Sequence, residues 1–524
     1  MGEKSRTYSG RELRGYLTGM LGQNLIYNII ATGLVSTYLQ FYLKIPVAAI
    51  GVIVAVARVW DAVNDPMMGT IVDRTRTKWG KCRPYLIIFP AIIGAMTILC
   101  FVNGIYTEAT TSLQRGVIIG WAAVSYIIWG MLFTVCDIPL WGITSLMTEV
   151  ESDRSKILGL ARIAAGVGGI GVLIVQIGQV LGGIFTKGLD PVKDVQAYNA
   201  GNQKGFIVAV VIFTVISTIL FEFAGISTRE RVQVNEKKYT FKENFKIMWQ
   251  CKPFRQILVS GILRSPIQLL MLIAMPFVTY YFANGDIMNI VSVDVDGSSS
   301  LNVGMLINIG IIAAGIFIGQ FVAMGITPML TKKFENKTLY NFFSIGGAVP
   351  FALLFVFYKI AGGDVTPLGW IIVTGVMLML ASAGMGGINV MQSVMIADCV
   401  DYEEYHNGIR PDGVFFSGQS FITKLSGGIA AIVQAIAYGM VNFSDTAIEE
   451  MQAALATGQK TFIEYNDGKF AAVMFFLISI PPAIGMLISA LPTLKYALSD
   501  KEHARILSEL VAKRANANED NQSA

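Results

Sequence analysis

Twelve long apolar segments constrain the fold of this chain more than any other feature. A helix needs about 20 predominantly apolar residues to cross the hydrocarbon core of a bilayer. The segments lie approximately at 16–43, 48–72, 84–104, 115–141, 157–185, 206–226, 255–283, 301–330, 339–359, 367–396, 413–441 and 469–494. Only 15% of the residues are charged, against roughly 25% in an average soluble protein. The sequence therefore predicts an all-α polytopic membrane protein with twelve transmembrane helices.

The basic residues give this membrane domain an orientation. Lys and Arg accumulate on the cytoplasmic side of a membrane, and most of the 40 in this chain fall on one side when both termini are placed inside. Arg58, Arg162, Arg264 and Lys424 stay within apolar segments. The pattern predicts a multi-pass protein of a bacterial-type inner (plasma) membrane with cytoplasmic N- and C-termini.

A basic stretch after the sixth segment divides the chain in two. We expect an N-terminal six-helix bundle at 1–226, a cytoplasmic middle loop at 227–254, a C-terminal six-helix bundle at 255–494 and a cytoplasmic tail at 495–524. The loops after the second and eighth segments, GTIVDRTRTKWGK and GITPMLTKKFENK, both join a glycine-containing helix end to a short basic turn. Two six-helix halves around a central site are typical of the major facilitator fold.

Several classes of function lack their residues in this sequence. The five cysteines occur singly and the two histidines lie in polar segments, so neither a disulfide framework nor a zinc site is indicated. The sequence has no GxxxxGK[ST] motif for ATP, no nucleophile and base set for an enzyme, and no basic patch for nucleic acid. We therefore expect no enzyme activity, no nucleic-acid partner, no cofactor and no metal beyond a coupling Na+.

Acidic residues inside the second apolar segment are the strongest functional signal. Arg58, Asp61 and Asp65 follow an i, i+3, i+7 spacing that places them on one helical face, with Asn64 beside them. A charge at the bilayer centre costs about 2.5 to 3.5 kcal/mol on insertion scales, so each one requires a partner or a function. Grouped carboxylates can bind Na+, which prefers oxygen ligands, or share a proton. The alternative is a static set of ion pairs, Arg58 with Asp61 and Lys424 with Asp137.

A second polar group combines an aromatic ring with an acid. Asp137 and Trp141 are spaced i, i+4 on the fourth segment and therefore share a face. An aromatic ring can stack on the C–H face of a sugar, while a carboxylate beside Arg, Lys or Gln can bind its hydroxyl groups. The polar residues of the fifth and eleventh segments are Arg162, Gln419, Ser420 and Lys424. Together these residues favour a sugar site, although most membrane tryptophans only pack in the core or anchor at the interface.

Six stretches at these positions resemble the glycoside-pentoside-hexuronide:cation symporter family, which includes melibiose permease. They follow the order of the family over nearly the whole chain. The stretches are RVWDAVNDPMMG, TKWGKCRPY, YIIWGMLFTVCDIPLW, LARIAAG, VMIADCVDYEEY and GQSFITKLSGG.

The resemblance implies two adjoining sites. The implied cation site consists of Asp61, Asp65, Asn64 and Thr134. The implied sugar site is lined by Asp137, Trp141, Arg162, Gln419, Ser420 and Lys424. Neither ligand alone would stabilise the closed state enough, so transport would wait for both.

Three positions depart from the family pattern. Asn24 stands where melibiose permease has a sugar-binding aspartate, Gln23 where it has a lysine, and Asn389 where it has a tryptophan. An amide can still bind a hydroxyl group, so these residues stay substrate-binding candidates, without the strict galactoside recognition. Arg264 has no obvious acidic partner. It either snorkels to the interface or lines the cavity, and in the second case it favours an anionic substrate such as a glucuronide.

Opposite charges lie at the predicted cytoplasmic ends of the two halves. Asp73 and Arg74 begin a basic loop after the second segment, and Asp398 and Asp401 end the tenth. Attraction between them would hold the inside closed while the cavity faces outward, as alternating access requires. With Arg58 they form the predicted gating or charge network. The alternative is a set of solvated loop charges that only fixes the topology.

The combined prediction is a secondary active transporter that imports a glycoside or oligosaccharide by cation-coupled symport, with Na+ or H+ as the coupling ion. Two alternatives stay open: a symporter for an anionic glycoside such as a glucuronide, and a sugar sensor that does not transport. The tail from Leu494 to Ala524 is too short for a signalling domain, which favours transport. The expected partners are a small-molecule glycoside and membrane lipid, and the expected functional state is a monomer.

Overall fold

Helices make up most of the part of the chain that the structure describes. A computed structural model describes residues 7–106, 110–189, 193–232, 241–282, 291–293, 299–408, 410–443, 447, 450–451, 454–455 and 461–523. The helices are α1 (Gly10–Asn28), α2 (Val47–Arg74), α3 (Arg83–Leu99), α4 (Ser112–Gly142), α5 (Thr144–Met147), α6 (Glu151–Gly168), α7 (Ile174–Phe185), α8 (Val195–Ser227), α9 (Phe241–Gln250), α10 (Lys252–Leu263), α11 (Gln268–Phe282), α12 (Val303–Leu330), α13 (Asn336–Ile360), α14 (Leu368–Asn407), α15 (Asp412–Met440), α16 (Lys469–Leu494) and α17 (Asp500–Ser523).

Each predicted apolar segment coincides with helix among these residues, but three segments are interrupted. α1 continues as a π-helix, Ile29–Tyr42. A 3-10 stretch, Gly169–Leu173, joins α6 to α7, and another, Ser265–Ile267, joins α10 to α11 with a bend of 44°. Within the described residues, eight helices are long and apolar enough to cross a membrane, and nine if the bent pair counts as one span. The helical prediction is therefore confirmed.

The apolar pattern does not predict two features of the loops. Strands β1 (Val291–Val293) and β2 (Ser299–Leu301) form an antiparallel pair between α11 and α12, with Val291 opposite Leu301. The predicted middle loop contains the helix α9, and its residues 233–240 lie outside the described residues. The bounds of the two six-helix bundles stay a prediction.

The chain separates into two compact units. The first consists of Met1–Gln250, Ala397–Phe421 and Arg505–Ala524, and the second of Cys251–Ile396 and Ile422–Ala504.

A glycine stripe holds the core of the first unit together. α1 packs along α8, and Gly15, Gly19 and Gly22 form the face of α1 that meets it. A Cβ atom at Gly19 would lie 2.3 Å from the Cβ of Ala224, which is far inside van der Waals contact. Small residues at such spacings let two helix backbones approach closely in a membrane. The register of α1 against α8 is therefore fixed by backbone contact.

The second unit is built around α16, which packs against α10, α11 and α13. Buried hydroxyl groups connect these helices. Ser260 donates to the carbonyl of Ser489 and lies 2.7 Å from the Tyr340 hydroxyl, while Ser344 donates to the carbonyl of Met486 at 2.7 Å. Such bonds between helices satisfy polar groups that lipid cannot satisfy.

Candidate functional site

The two acids of α2 lie against α4 in the first unit. Asp65 is fully buried, with 0% of its surface exposed, and accepts a hydrogen bond of 3.1 Å from the Thr134 hydroxyl. Asp61 lies over the preceding turn of α4, because its Oδ1 would be 3.5 Å from a Cβ atom at Gly130. The structure therefore brings together Asp61, Asp65 and Thr134, three of the four residues of the implied cation site.

The other polar residues near these acids, Asn64 and Arg58, also lie on α2. Asn64 is buried, and its amide nitrogen has no hydrogen-bond partner among the described residues. Arg58 is hydrogen-bonded to Tyr27 and lies near Asp61 and Tyr126. Pro66 sits inside α2 directly after Asp65. A proline within a helix donates no hydrogen bond to the carbonyl four residues earlier, so the turn that carries both acids also has an extra backbone oxygen available.

This arrangement is rich in oxygen ligands. Two carboxylates, a hydroxyl group, an amide and a released backbone carbonyl are all groups that hard cations prefer. A carboxylate in a buried site can alternatively take up a proton, because burial and a neighbouring acid both favour its neutral form. The arrangement can chemically accommodate either Na+ or a proton.

A chain of amides leads from α1 to the acid of α4. The Gln23 amide donates to Asp137 Oδ1 at 2.9 Å, and the Asn24 amide donates to Gln23 Oε1 at 2.7 Å. Asn24 also faces α6, since a Cβ atom at Gly168 would lie 2.5 Å from the Asn24 Cβ. Gln23 and Asn24, the two departures from the family pattern, therefore adjoin Asp137.

Trp141 and Arg162 form a cation–π pair beside this chain. The guanidinium carbon of Arg162 lies 4.2 Å from the centroid of the Trp141 ring. Trp141 is buried, and the neighbouring Tyr16 hydroxyl donates to the carbonyl of Leu140 at 3.0 Å. Arg162 therefore covers one face of the Trp141 indole.

The other substrate candidates are distributed between the two units. Gln419 and Ser420 are buried in the first unit, on α15. α15 begins close to the end of α2, because a Cβ atom at Gly69 would lie 2.6 Å from the Gly413 carbonyl. Lys424 and Asn389 are half-buried in the second unit, where the carbonyl of Asn389 accepts a bond from Ser393 at 3.2 Å.

A buried charge network in the first unit joins the loop after α2 to the turn between α14 and α15. Lys81 contacts Asp73 at 2.9 Å and Asp412 at 2.7 Å. Asp73 also accepts hydrogen bonds from the backbone of Gly413 and Val414, at 2.8 and 2.9 Å. Asp412 accepts a further bond from the Ser145 hydroxyl.

The same network continues to the C-terminal end of α14. Arg410 contacts Asp401 at 2.9 Å and Glu404 at 2.5 Å. Arg154, at the start of α6, contacts Asp401 at 2.7 Å and Asp398 at 3.8 Å. The side chains of Lys81, Arg154 and Arg410 are each 1% exposed. These are buried ion pairs, not the solvated loop charges of the alternative interpretation.

For the basic side chains outside the membrane segments, the ion pairs change the pKa more than burial does. Burial alone would lower the pKa of the Lys81 ammonium, but the carboxylates of Asp412 and Asp73 raise it above its ordinary value. Burial likewise opposes the charge of Arg410, and Asp412, Glu404 and Asp401 together raise the pKa of its guanidinium. Both bases therefore stay charged at any physiological pH.

Three central members of this network escape the sequence analysis. In the sequence, Arg154, Arg410 and Asp412 stand in short polar stretches next to apolar segments, where basic and acidic residues are common. The signal that could have identified Arg410 and Asp412 is Pro411 between them, because a proline in a tight turn fixes the directions of its neighbours. The sequence predicts that Asp73 and Asp401 face charges of the opposite half. Asp401 does so in its contact with Arg154, whereas Lys81 and Arg410 lie in the same predicted halves as Asp73 and Asp401, respectively.

The snorkelling interpretation of Arg264 is wrong. Arg264 is 6% exposed and its Nη2 donates to Gln392 Oε1 at 2.5 Å. A snorkelling arginine extends its guanidinium to the membrane surface, whereas this one lies at a helix break inside the second unit.

Comparisons with known proteins agree on the family. Residues 15–500 match the sequence model of MFS/sugar transport proteins. The inner membrane symporter YicJ of Escherichia coli is 24% identical, with 94% of this chain and 93% of the relative covered. The isoprimeverose transporter of Lactiplantibacillus pentosus is 26% identical, with 93% and 90% covered. Among solved structures, the fucose:proton symporter of E. coli superposes with a TM-score of 0.58 at 12% identity, over 93% of this chain and 98% of that one.

These matches confirm the predictions of fold, family and class of function. The solved structure shares the fold, so the major facilitator architecture is confirmed. The family and its symporter relatives confirm the glycoside-pentoside-hexuronide resemblance and the class of cation-coupled sugar symport. They also place the protein in the inner membrane as a multi-pass protein with a small-molecule sugar substrate. The chain belongs to the family of MFS/sugar transport proteins.

Proposed function

We propose that this chain imports a glycoside together with Na+ or H+, with the cation at Asp61 and Asp65 and the sugar beside Asp137. The observation that carries this proposal is the position of both groups on α4. Thr134 contacts Asp65, and Asp137, three residues later, accepts the bond from Gln23. Residues three apart on a helix lie about one turn apart on the same side. A cation coordinated by Thr134 would therefore bind to the same stretch of α4 backbone that carries Asp137.

Coupling follows from this shared turn. Symport requires that each ligand raise the affinity for the other, and the two effects are equal by linkage. A cation at Asp65 would neutralise charge next to Asp137 and fix the orientation of α4. The sugar would then bind to an ordered set of amides on α1, Gln23 and Asn24, with Arg162 and Trp141 beside it. Gln419, Ser420, Lys424 and Asn389 join this site in the proposal on the strength of the family resemblance.

Alternating access also requires a closed state that resists opening. We expect the charge network around Lys81 and Arg410 to stabilise that state. Removing one partner of a buried ion pair typically costs about 3 to 5 kcal/mol, so the network does not separate spontaneously. We expect it to hold the cytoplasmic end closed in one state and to separate in the other. Binding of cation and sugar together would offset that cost.

The relatives indicate the candidate substrates. Their names include isoprimeverose, lactose and raffinose, which are neutral, and also a glucuronide carrier homologue. We expect the chain to act as a monomer in membrane lipid, with cytoplasmic termini, two six-helix halves and no cofactor besides the coupling ion.

Gradient-driven uptake tests the proposal. Proteoliposomes with an inward Na+ or H+ gradient should accumulate the sugar, and Asp65→Asn should abolish accumulation while leaving sugar exchange partly intact. The acid is needed for the cation, whereas exchange needs only the sugar site. Ser125→Ala on the same α4 is a matched control, because among the described residues the Ser125 hydroxyl donates within its own helix, to the carbonyl of Ala122 at 3.3 Å. Accumulation that ignores both gradients would contradict symport.

A further inference from the structure

A cavity of the second unit lies where α15 ends and α16 begins. Its volume is about 550 Å³; Met440 and Asn442 line one side, and Tyr465, Asn466 and Lys469 line the other. Sites for small molecules typically occupy about 300 to 1,000 Å³ and combine apolar walls with a few polar groups. None of these residues belongs to the proposed cation and sugar groups, so the cavity is a separate feature of the molecule.

The apolar wall of the cavity is aromatic. Tyr465 is half-buried and Phe470 is buried, and their ring centroids lie 5.7 Å apart. Phe470 also packs edge-on against Phe443, with the centroids 4.4 Å apart, which holds its ring in place. The face of an aromatic ring carries partial negative charge, against which the C–H groups of a sugar ring can pack. This wall therefore suits a ligand with an apolar face.

The polar groups of the cavity are hydrogen-bond donors. Asn442 and Asn466 each carry an amide, and Lys469 carries an ammonium group. The Asn466 amide donates to the carbonyl of Val441 at 3.4 Å, which connects the two sides of the cavity. Asn442 and Lys469 are exposed. Amide and ammonium groups can both bind the hydroxyl groups of a sugar.

Tight turns hold the two asparagines at the edge of the cavity. Asn442 and Asn466 have left-handed backbones, with φ of 56° and 50°, a conformation that asparagine adopts more readily than most residues. The Asn442 N–H donates to the carbonyl of Gly439 at 3.2 Å, where α15 ends. Asp467 and Gly468 are also left-handed, with φ of 52° and 72°, and they lead directly into α16. The two amides are thus positioned by the backbone on either side of the cavity.

The charges near the cavity favour a neutral ligand. The Lys469 ammonium lies 3.8 Å from the Asp467 carboxylate, and the two side chains are 60% and 90% exposed. Water screens such a pair strongly. A phosphate or carboxylate ligand is typically bound by several basic groups, whereas the described lining contains one, with an acid beside it. A neutral glycoside, which has an apolar ring face and a rim of hydroxyl groups, matches the lining better.

We propose that this cavity is an accessory glycoside-binding site, separate from the sugar group beside Asp137. The inference rests on the proposed function for the class of its ligand. The predicted orientation places the segment between α15 and α16 on the outer side of the membrane. A weak site there would retain sugar at the surface from which it is imported.

The test measures sugar binding when the group beside Asp137 is disabled. Full-length Asp137→Asn protein is placed in lipid nanodiscs, because glycosidic detergents would compete for the cavity. It is then titrated with isoprimeverose, lactose and raffinose, the neutral sugars named in the relatives. Ligand-observed NMR should detect weak, saturable binding of at least one of them. Absence of binding by all three would overturn the proposal.

Substitutions in the cavity should weaken this residual binding. Asn442→Gly keeps the left-handed backbone and removes one amide, so the dissociation constant should rise about 2- to 10-fold, the range for one neutral hydrogen bond. Tyr465→Leu removes the flat ring and should have at least as large an effect. Lys469→Gln removes the ammonium group and should also weaken binding. Lys359→Gln, an exposed lysine of the same unit outside the cavity, is its matched control and should leave binding unchanged.

Melting temperatures separate binding from folding. Asn442→Gly changes an exposed side chain, so the ligand-free protein should melt like its Asp137→Asn parent. Residual binding that survives both Asn442→Gly and Tyr465→Leu would overturn the proposal. Equal weakening by Lys359→Gln would show that the sugar binds elsewhere on the surface and would overturn it as well.

Uptake measurements distinguish this inference from the proposed function. With Asp137 intact, Asn442→Gly should keep the maximal rate of gradient-driven uptake, because the accessory site is separate from the transported sugar. A loss of the maximal rate would place Asn442 in the transport machinery and overturn the separation. If the wild type accumulates no sugar under either gradient, the symport proposal fails, and the titrations of Asp137→Asn still decide whether the cavity binds a glycoside.

Discussion

Two polar regions of the first unit surround their acids with different groups. In the charge network around Lys81 and Arg410, Asp401 and Asp412 each contact basic side chains within 2.9 Å. In the membrane region, the contacts described for Asp65 and Asp137 come from a hydroxyl and an amide. An ion pair stabilises the arrangement that forms it, whereas a neutral donor can keep its hydrogen bond to a carboxylate when a cation also binds there. We expect the charge network to maintain one state and the residues around Asp65 and Asp137 to respond to ligands.

The largest expected effect breaks the network. Arg410→Ala removes the guanidinium that three buried carboxylates contact. It should reduce the free energy of unfolding by about 3 to 5 kcal/mol. Arg505→Ala, which removes a half-exposed partner of Glu509, should cost no more than about 1 kcal/mol. Denaturant unfolding in detergent micelles measures both. A loss below 1 kcal/mol for Arg410→Ala would mean that the network does not maintain the folded state.

A smaller effect is expected at the cation group. Thr134→Ala removes the hydroxyl that donates to Asp65 and should raise the half-saturating concentration of the coupling ion about 10-fold or more, since hydrogen bonds to charged groups contribute about 1.5 to 3 kcal/mol. Sugar exchange without a gradient should change much less. Uptake measured as a function of ion concentration tests this, with Ser125→Ala as control. An equal loss in exchange would assign Thr134 to folding or to the sugar.

A substitution in the amide chain should affect sugar binding more than ion binding, the reverse of Thr134→Ala. Gln23→Ala removes the donor to Asp137 and should weaken sugar binding by roughly 5- to 10-fold, in line with about 1 kcal/mol for a typical hydrogen bond. The ion dependence should shift by a smaller factor. Isothermal titration with sugar at saturating ion checks the result. A larger shift for the ion than for the sugar would move Gln23 into the cation group.

The smallest effect is expected at a partly exposed pair, and it depends on pH. Glu12 accepts two bonds from Arg231, at 2.9 and 2.8 Å. Burial raises the pKa of this carboxyl, but Arg231 and Ser9 outweigh burial and lower it below its ordinary value. The pair therefore stabilises the fold above the unfolded-state pKa, and this contribution is lost as the pH falls through the folded-state pKa. Glu12→Gln should lower the melting temperature slightly at pH 7, and the gap should close in acid. A gap independent of pH would assign the effect to packing.

The sequence predicts the helices better than it predicts the contacts between distant polar residues. Apolar length alone locates all twelve segments, and helical spacing places Asp61 and Asp65 on one face. The ion pair of Lys81 with Asp412 joins residues more than 300 positions apart, and periodicity carries no information about such a pair. The bend at Arg264 had a local signal, because the residue before Pro266 avoids helical geometry. The bond between Gln23 and Asp137 required the register of α1, which backbone packing determines.

The glycine stripe of α1 has a consequence for transport. Gly15, Gly19 and Gly22 bring α1 against α8 so closely that even an alanine would force the helices apart. The next two residues of α1, Gln23 and Asn24, are the amides beside Asp137. The amides beside Asp137 are thus carried by a helix that packs closely on α8, and we expect α1 and α8 to move as one rigid body during transport.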